Sequence, residues 1–181
     1  MAVTENKYQL GTAENQKFLQ DVRDGLLSFG HQFPSPGGSS YYLGDDGTPW
    51  KDRNRETWIT SRMTHVYSIG SMLGHEGSEA LADAALKGLR GELHDDQNGG
   101  WYAGLTKDNE IVPTKQCYAH AFVILAASSG VLACREGDVY KRQVQDIVLC
   151  CVYIREKLLF TYFCETSYKC CHMNSGKIST A

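Results

Sequence analysis

Apolar side chains recur every three or four positions along two segments whose other positions are mainly polar, which is the pattern of a helix with one buried face. Residues 14–30 predict one such helix, which Gly30 ends. Its apolar stripe consists of Phe18, Val22, Leu26 and Phe29. Residues 78–93 predict the other helix. Its apolar side consists of Leu81, Ala85, Leu89 and Glu92/Leu93. We expect both helices to be half exposed, with these stripes packed against the rest of the protein.

Two further segments are apolar nearly all round, as is typical of helices surrounded by protein. The first spans about residues 55–73. One of its stripes, which we interpret as a packing face, consists of Ile59, Met63, Val66, Gly70 and Leu73. The adjacent stripe consists of Trp58, Arg62, His65, Ile69 and Met72. An arginine enclosed in such a helix needs a partner, because a buried unpaired charge is very costly.

The second nearly apolar helix covers residues 115–129 and follows Pro113, with Thr114 as a candidate N-cap. The segments between the helices are rich in turn residues. Residues 33–49 predict a loop with a short extended piece at YYL and a turn at DDG. Residues 94–113 predict a small hairpin with extended pieces WYAGL and EIV. The GGSS sequence of the first loop lacks the strand and helix that a phosphate cradle requires, which favours a plain loop.

Half-exposed helices therefore alternate with nearly apolar ones along the chain. Buried inner helices and amphipathic outer helices are typical of an α/α toroid, in which the inner helices ring a pocket. Arg62 and Tyr118 both lie near the starts of nearly apolar helices, one helical hairpin apart along the chain. Two hairpins cannot close a ring and do not establish a repeat. We predict an all-α fold of helical hairpins with short β-hairpin loops, forming part of an incomplete barrel.

Charge and hydropathy narrow the classes of partner. The net charge of −3 and the pI near 6.1 give no basic patch that would attract nucleic acid or an anionic membrane. The first residues lack the layout of a secretory signal, and no apolar run approaches the roughly 20 residues that cross a bilayer. We expect a cytoplasmic protein.

Composition changes abruptly near Gly137. Five of the seven cysteines lie after it, whereas 17 of the 18 glycines lie at or before it. The late cysteines have neither the spacing of a zinc site nor the secreted context of a disulfide framework, so we predict no metal site. The peptide DVYKRQ, residues 138–143, can be encoded by a sequence that resembles the transposon end used in preparing sequencing libraries. We therefore predict a genuine domain over residues 1–137 and a non-native tail over 138–181.

The alternative for the tail is a real amphipathic helix. Its marginal apolar face would consist of Ile147, Val148, Val152, Ile154 and Leu158.

Three blocks of sequence, WITSRMTHVYSIGSMLG, NGGWYAG and KQCYAHAFVILAAS, resemble the N-acylglucosamine 2-epimerase family. They are most similar to its aldose–ketose isomerase branch, which includes mannose and sulfoquinovose isomerases. The resemblance covers roughly residues 14–135 and implies the first part of an (α/α)6 barrel. It implies a monosaccharide substrate, proton transfer through an enediol or enediolate, and no metal or redox cofactor. It leaves open the sugar, the choice between epimerisation and isomerisation, and a homo-oligomer.

The resemblance also implies roles for particular residues. Arg62 would contact the sugar oxygens, and Tyr118 would hydrogen-bond a hydroxyl while stacking on the ring. The alternatives are a structural ion pair with an acidic residue for Arg62 and core packing for Tyr118. Trp58 shares the stripe of Arg62 and would form either the floor of the pocket or part of the packed core. The acid–base histidines of the family lie on later inner helices, so we expect this chain to be inactive alone. The weaker candidates are His65 and His120, which we interpret as hydrogen-bonded interior histidines, and Gln116, which we interpret as a local cap.

Two other functions compete with this interpretation. Asp95 and Asp96 would suit a glycoside-acting toroid, although adjacent carboxylates in a glycine-rich turn usually point apart. The other competing function is that of a non-catalytic helical interaction module, which would associate through the apolar face of the tail. Cys117 stands near a histidine, but we interpret it as a buried thiol and not as a nucleophile.

Overall fold

Four α-helices and five two-residue strands make up the fold in the computed structural model, which describes residues 6–133. The helices are α1 (Ala13–Phe29), α2 (Thr57–Met72), α3 (Ser78–Arg90) and α4 (Cys117–Ala133). The strands are β1 (Tyr42–Leu43), β2 (Pro49–Trp50), β3 (Arg55–Glu56), β4 (Gly104–Leu105) and β5 (Ile111–Val112). Short 3-10 turns cover Asn6–Tyr8 and Gly30–Gln32. The predicted mainly helical fold with short hairpins is confirmed, whereas the prediction that these hairpins form the first part of an (α/α)6 toroid stays a prediction.

The chain divides into two units, residues 1–136 and 137–181, and every described residue belongs to the first unit. The predicted tail over residues 138–181, with its alternative apolar face, lies outside the described residues. Within residues 6–133, no helix combines the length and apolarity that crossing a bilayer requires. The same part of the chain contains no group of three or more histidine, cysteine or acidic side chains that could hold a metal ion.

Two small antiparallel sheets connect the helices, and one of them lies at the starts of α2 and α4. Strand β1 pairs with β2, with Tyr42 opposite Trp50. Strand β4 pairs with both β3 and β5. Because β3 runs directly into α2, and β5 leads after four residues into α4, this sheet brings the N-terminal ends of α2 and α4 to the same side of the molecule.

Helix α4 starts at Cys117, so the prediction of Thr114 as its N-cap is wrong. The Lys115 ammonium lies 2.7 Å from an Asp95 carboxylate oxygen in the preceding loop. This pair ties the residues before Cys117 to that loop, and the chain enters the helix only after them.

Helix α2 lies between α3 and α4 and buries small and hydroxyl-bearing residues against them. Its buried residues are Thr57, Thr60, Ser61, Thr64, Tyr67, Ser68 and Gly70. The Ser61 and Thr64 hydroxyls donate to backbone carbonyls one turn earlier, at 2.8 and 3.0 Å, so their burial leaves no unpaired donor. Small side chains on this face let the neighbouring helices approach closely.

The prediction of the packing face of α2 is therefore wrong in part, because two residues of that stripe, Val66 and Leu73, are exposed. The expectation that apolar side chains are enclosed all round this helix is also wrong within the described residues. Side chains of both α2 stripes, including Ile69 and Met72, lie at the surface.

The core near the C-terminal end of α1 is built around Tyr67. Its ring stacks on Phe33 with centroids 5.3 Å apart, and its hydroxyl donates to the Leu27 carbonyl at 2.8 Å. Burial raises the pKa of this hydroxyl to about 12, so it remains a donor. Gly30 is required here, because a Cβ at that position would lie 2.2 Å from the Tyr67 hydroxyl.

Helix α3 buries its predicted side, and Ala85, Leu89 and Leu93 are each at most 3% exposed. The loop that contains GGSS packs directly on this helix. Gly38 has a positive φ of 102°, and a Cβ there would lie 2.1 Å from the Ala84 carbonyl. The backbone amide of Ser39 donates to the Glu92 carboxylate at 2.9 Å, so this amide of the loop already has an anionic acceptor within the chain.

Helix α1 does not bury its predicted stripe. Val22, Leu26 and Phe29 are exposed and Phe18 is half-buried, which contradicts the expectation for this helix. Near its C-terminal end, α1 is buried at Leu27 and at Gly30 just after the helix, where the Tyr67 side chain packs. Within residues 6–133, Tyr8 packs edge-on against Phe18 and the turn at Gly47 lies against Phe29, whereas Val22 and Leu26 remain exposed.

Candidate functional site

Helices α2 and α4 bring Arg62 and Tyr118 together. A terminal guanidinium nitrogen of Arg62 donates to the Tyr118 hydroxyl at 3.2 Å, although 56 positions separate the two residues along the chain. The guanidinium carbon also lies 4.9 Å from the centroid of the Trp58 ring and 4.5 Å from that of Phe122. We call these four residues, Trp58, Arg62, Tyr118 and Phe122, the aromatic–arginine cluster.

Helical spacing produces the cluster. Trp58 and Arg62 are four residues apart on α2, and Tyr118 and Phe122 are four residues apart on α4, so each pair lies on one face of its helix. The Tyr118 ring meets Trp58 edge-on at 5.8 Å and Phe122 edge-on at 4.9 Å. The Trp58 and Phe122 rings therefore face the guanidinium, and the Tyr118 ring contacts both of them.

Among the described residues, the partners of Arg62 are not acidic side chains. Within residues 6–133 it forms no ion pair, and its protein partners are two ring faces and one phenol hydroxyl. A guanidinium has five N–H donors in a planar fork, and this hydroxyl accepts from one of them. The cluster thus combines a fixed positive charge and further donors with apolar ring surfaces, which are the groups that bind an oxygen-rich ligand with an apolar face.

The cluster lies at the surface. Tyr118 is 53% exposed and Arg62 is exposed, so the expectation of an arginine enclosed among apolar helices is wrong for the described residues. The reason is that α2 buries its small and hydroxyl-bearing residues, whereas Trp58 and Arg62 meet α4 at the margin of the helix pair, where Arg62 stays exposed and Trp58 half-buried.

His120 is a hydrogen-bonded interior histidine, as we interpreted it. It is 8% exposed, its Nδ1 lies 2.8 Å from the Gln116 carbonyl, and its Nε2 accepts the Trp101 backbone amide at 3.2 Å. Both ring nitrogens therefore have partners within the protein, which leaves no nitrogen for a substrate. Gln116 contributes this contact through its backbone and has an exposed side chain.

His65 lies one turn beyond Arg62 on α2. Its Nδ1 is 2.6 Å from the Ser129 hydroxyl on α4, and its ring is half-buried. This contact joins the two helices, which agrees with the interpretation of a hydrogen-bonded interior histidine.

The adjacent carboxylates Asp95 and Asp96 differ in their surroundings. Asp95 is 3% exposed and accepts the backbone amides of Gln97 and Asn98 at 3.1 and 3.0 Å. The Lys115 ammonium and these donors lower the pKa of its carboxyl well below the usual range. Asp96 is exposed and lies 2.7 Å from His94 Nδ1. A buried carboxylate that Lys115 and backbone amides hold inside a turn, and an exposed neighbour, do not form a glycosidase pair.

Cys117 corrects one expectation, because its side chain is exposed in the first turn of α4 and is not a buried thiol. Two residues near the cluster were missed. Phe122 could have been found from its spacing of four from Tyr118. Glu56 accepts the indole N–H of Trp58, a contact that apolar periodicity cannot reveal.

Solved structures of sugar epimerases have a similar fold. The cellobiose 2-epimerase of Spirochaeta thermophila matches with a TM-score of 0.59 and 16% identity, over 76% of this chain and 37% of that one. The cellobiose 2-epimerase of Bacillus thermoamylovorans matches with a TM-score of 0.57 and 23% identity, over 73% of this chain and 37% of the other. At these identities the likeness concerns the fold alone: the helices of this chain are arranged as in part of these two structures.

Sequence relatives define the family. The model of the N-acylglucosamine 2-epimerase family matches residues 37–157, which runs past the predicted boundary at Gly137. The D-mannose isomerase of Thermobifida fusca is 36% identical over 69% of this chain. The D-mannose isomerase of Pseudomonas cannabina pv. alisalensis is 44% identical over 44% of it. The chain belongs to the N-acylglucosamine 2-epimerase family, and it matches 31% and 19% of the length of these two relatives.

Proposed function

We propose that this chain is the substrate-binding N-terminal part of a sugar isomerase or 2-epimerase that acts on a monosaccharide. The observation that carries the proposal is the hydrogen bond between Arg62 and Tyr118, inside a ring of aromatic side chains and across two helices that are far apart in sequence. Family membership supports the reaction class, and the relatives named D-mannose isomerase support an aldose as the substrate.

The chemistry of the reaction suits the cluster. Moving a proton at the carbon next to a carbonyl creates negative charge on the carbonyl oxygen, as an enediol or enediolate forms. The guanidinium of Arg62 would stabilise that charge at any working pH, because an arginine does not deprotonate. The Tyr118 hydroxyl would hydrogen-bond a sugar hydroxyl, and the ring of Trp58 would pack on the C–H face of the sugar.

The acid–base step needs groups that this cluster lacks. Both ring nitrogens of His120 already have partners, and Nδ1 of His65 contacts Ser129. We therefore assign proton transfer to histidines on other inner helices, as the family resemblance implies. On this proposal the 181-residue chain binds the sugar weakly and does not turn it over.

The binding test uses the full chain and ligand-observed NMR with D-mannose, D-fructose and cellobiose. We expect binding of the monosaccharides, weakened about tenfold by Arg62→Ala, because charged hydrogen bonds are worth about 1.5–3 kcal/mol. Tyr118→Phe should weaken binding less, since it keeps the ring. Arg90→Ala is the matched control, because Arg90 is an exposed arginine at the end of α3.

Two results would contradict the proposal. Equal sugar affinity in the wild type and in Arg62→Ala would remove the cluster from the site. Exchange of the C2 proton of mannose with solvent, catalysed by the 181-residue chain and abolished in Arg62→Ala, would show that the acid–base groups lie within it.

A second candidate, a helical module that associates with another copy of this chain, is supported by the exposed apolar stripe of α1. Sedimentation velocity distinguishes the two functions: self-association that Leu26→Lys abolishes, together with an absence of sugar binding, would favour the module. The predicted homo-oligomer and the cytoplasmic location stay predictions.

A further inference from the structure

Glu56 is the last residue of β3 and precedes the first residue of α2. Its backbone is extended, with φ −102° and ψ 142°, which is the conformation of an N-cap residue. Its side chain makes no capping hydrogen bond to the helix. Instead, its carboxylate accepts the indole N–H of Trp58, two residues further on. The usual capping role of a polar residue at this position is therefore absent.

The hydrogen bond to Glu56 adds a polar contact to the packing of the Trp58 ring. Trp58 is half-buried, and its neighbours in the cluster, Arg62 and Tyr118, are exposed. A side chain at such a surface can change rotamer unless a polar contact fixes it. The Trp58 ring makes three contacts. Its N–H donates to the Glu56 carboxylate, its face lies beneath the Arg62 guanidinium, and it meets the Tyr118 ring edge-on. A change in the orientation of the Trp58 ring would therefore alter its contacts with Arg62 and Tyr118.

A second element also contacts Glu56. Burial raises the pKa of the Tyr42 hydroxyl above its ordinary value, and the Glu56 carboxylate raises it further through its charge and a hydrogen bond. Tyr42 belongs to β1, so one carboxylate joins the β1–β2 hairpin to the start of α2. Within residues 6–133, Glu56 forms no ion pair, and the uncharged indole of Trp58 donates to its carboxylate.

We propose that Glu56 is a positioning residue of the sugar site, and that it acts by accepting the Trp58 indole N–H and so holding that ring against Arg62 and Tyr118. This inference rests on the proposed function. It assigns Glu56 no contact with the sugar and no part in proton transfer. The property that it requires is an acceptor oxygen at this place, and not a negative charge.

The test compares Glu56→Ala with Glu56→Gln in the full chain. The amide oxygen of glutamine can accept the indole N–H, whereas alanine cannot. Glu76→Ala is the matched control, since Glu76 is an exposed glutamate in the loop between α2 and α3. The first readout is the indole N–H signal of Trp58 in a 1H–15N correlation spectrum. It is assigned among the three tryptophans by its loss in Trp58→Phe.

We expect Glu56→Ala to shift the Trp58 indole signal upfield, to lower its heteronuclear NOE, and to weaken D-mannose binding about tenfold. Glu56→Gln should keep the NOE and stay within about twofold of the wild-type affinity, because the acceptor is retained. Circular dichroism and a thermal melt of each variant show whether the fold is retained. A purely structural role would not give this rescue of affinity by glutamine.

Unchanged mannose affinity in Glu56→Ala would overturn the inference, whether or not the indole signal moves. Equal loss of affinity in Glu56→Gln and Glu56→Ala would overturn it as well, because the charge and not the acceptor would then matter. In both cases the wild type still binds mannose, so the proposed function survives. An absence of mannose binding by the wild type would instead refute the proposed function, and this inference with it.

Discussion

Helices α1 and α3 both carry an apolar stripe, but their surroundings differ. Leu89 on α3 is 3% exposed, and the helix packs against α2 and against the loop that contains Gly38. Leu26 on α1 is 67% exposed, and no element within residues 6–133 covers it. The comparison teaches that periodicity identifies which face of a helix is apolar, whereas burial depends on whether another part of the protein lies over that face.

The largest expected difference between the two helices is in the cost of truncating a leucine. Leu89→Ala should lower the free energy of unfolding by about 2–5 kcal/mol, because it removes buried methyl groups and leaves a cavity. Leu26→Ala should change it by at most about 0.5 kcal/mol, as is usual at exposed positions. Urea unfolding followed by circular dichroism measures both. Similar losses for the two variants would mean that α1 is covered in solution.

A pair of glycines sharpens the same contrast. A Cβ at Gly88 on α3 would lie 2.5 Å from the Ser39 backbone nitrogen, whereas a Cβ at Gly25 on α1 would have no neighbour within 4 Å. Gly88→Ala should therefore destabilise the protein by about 1–3 kcal/mol through overpacking. Gly25→Ala should stabilise it by about 0.5–1 kcal/mol, because alanine favours the helix. Thermal melts of the two variants give the signs, and a stabilising Gly88→Ala would contradict the close approach.

The smallest expected effect is on the pH dependence of stability, through the ionisation of Asp95. Chiefly through a hydrogen bond from Lys115, the folded protein holds the pKa of Asp95 below its ordinary value of 3.8. Because the folded pKa is the lower one, Asp95 stabilises the native state above about pH 4, and this contribution is lost as the pH falls below that value. Asp95→Asn should therefore lower stability at pH 7 and flatten its decline below about pH 4.

The control for this prediction is Asp21→Asn on α1. Asp21 lies 3.2 Å from Lys17 in an exposed pair, so its loss should cost no more than about 0.5 kcal/mol. Stability is measured by urea unfolding from pH 2 to pH 7. An unchanged acid profile in Asp95→Asn would show that Asp95 makes no such contribution.

The sequence was sufficient to locate all four helices and the short extended segments, because apolar periodicity and turn residues are local signals. It also pointed to Arg62 and Tyr118, which the structure brings into contact. The family resemblance, and not the periodicity, supplied their roles as sugar ligands.

The partners of those residues could not be read from the sequence. The contact of Trp58 with Glu56 and the position of Phe122 beside Arg62 depend on side-chain directions and on how two helices meet. The burial of Thr60 and Ser61 on α2, in place of its larger apolar residues, was also missed. A hydroxyl can be buried when a carbonyl of its own helix accepts its proton, and apolar periodicity does not include that possibility.

By itself, the sequence determined where the helices begin and end to within a few residues, which faces are apolar, and to which family the chain is similar. The tertiary structure decided which of these faces are covered and which side chains meet. The physical reason is that helix formation depends mainly on residues within a few positions of one another. Burial and side-chain contact depend on segments that are distant along the chain and come together only in the folded protein.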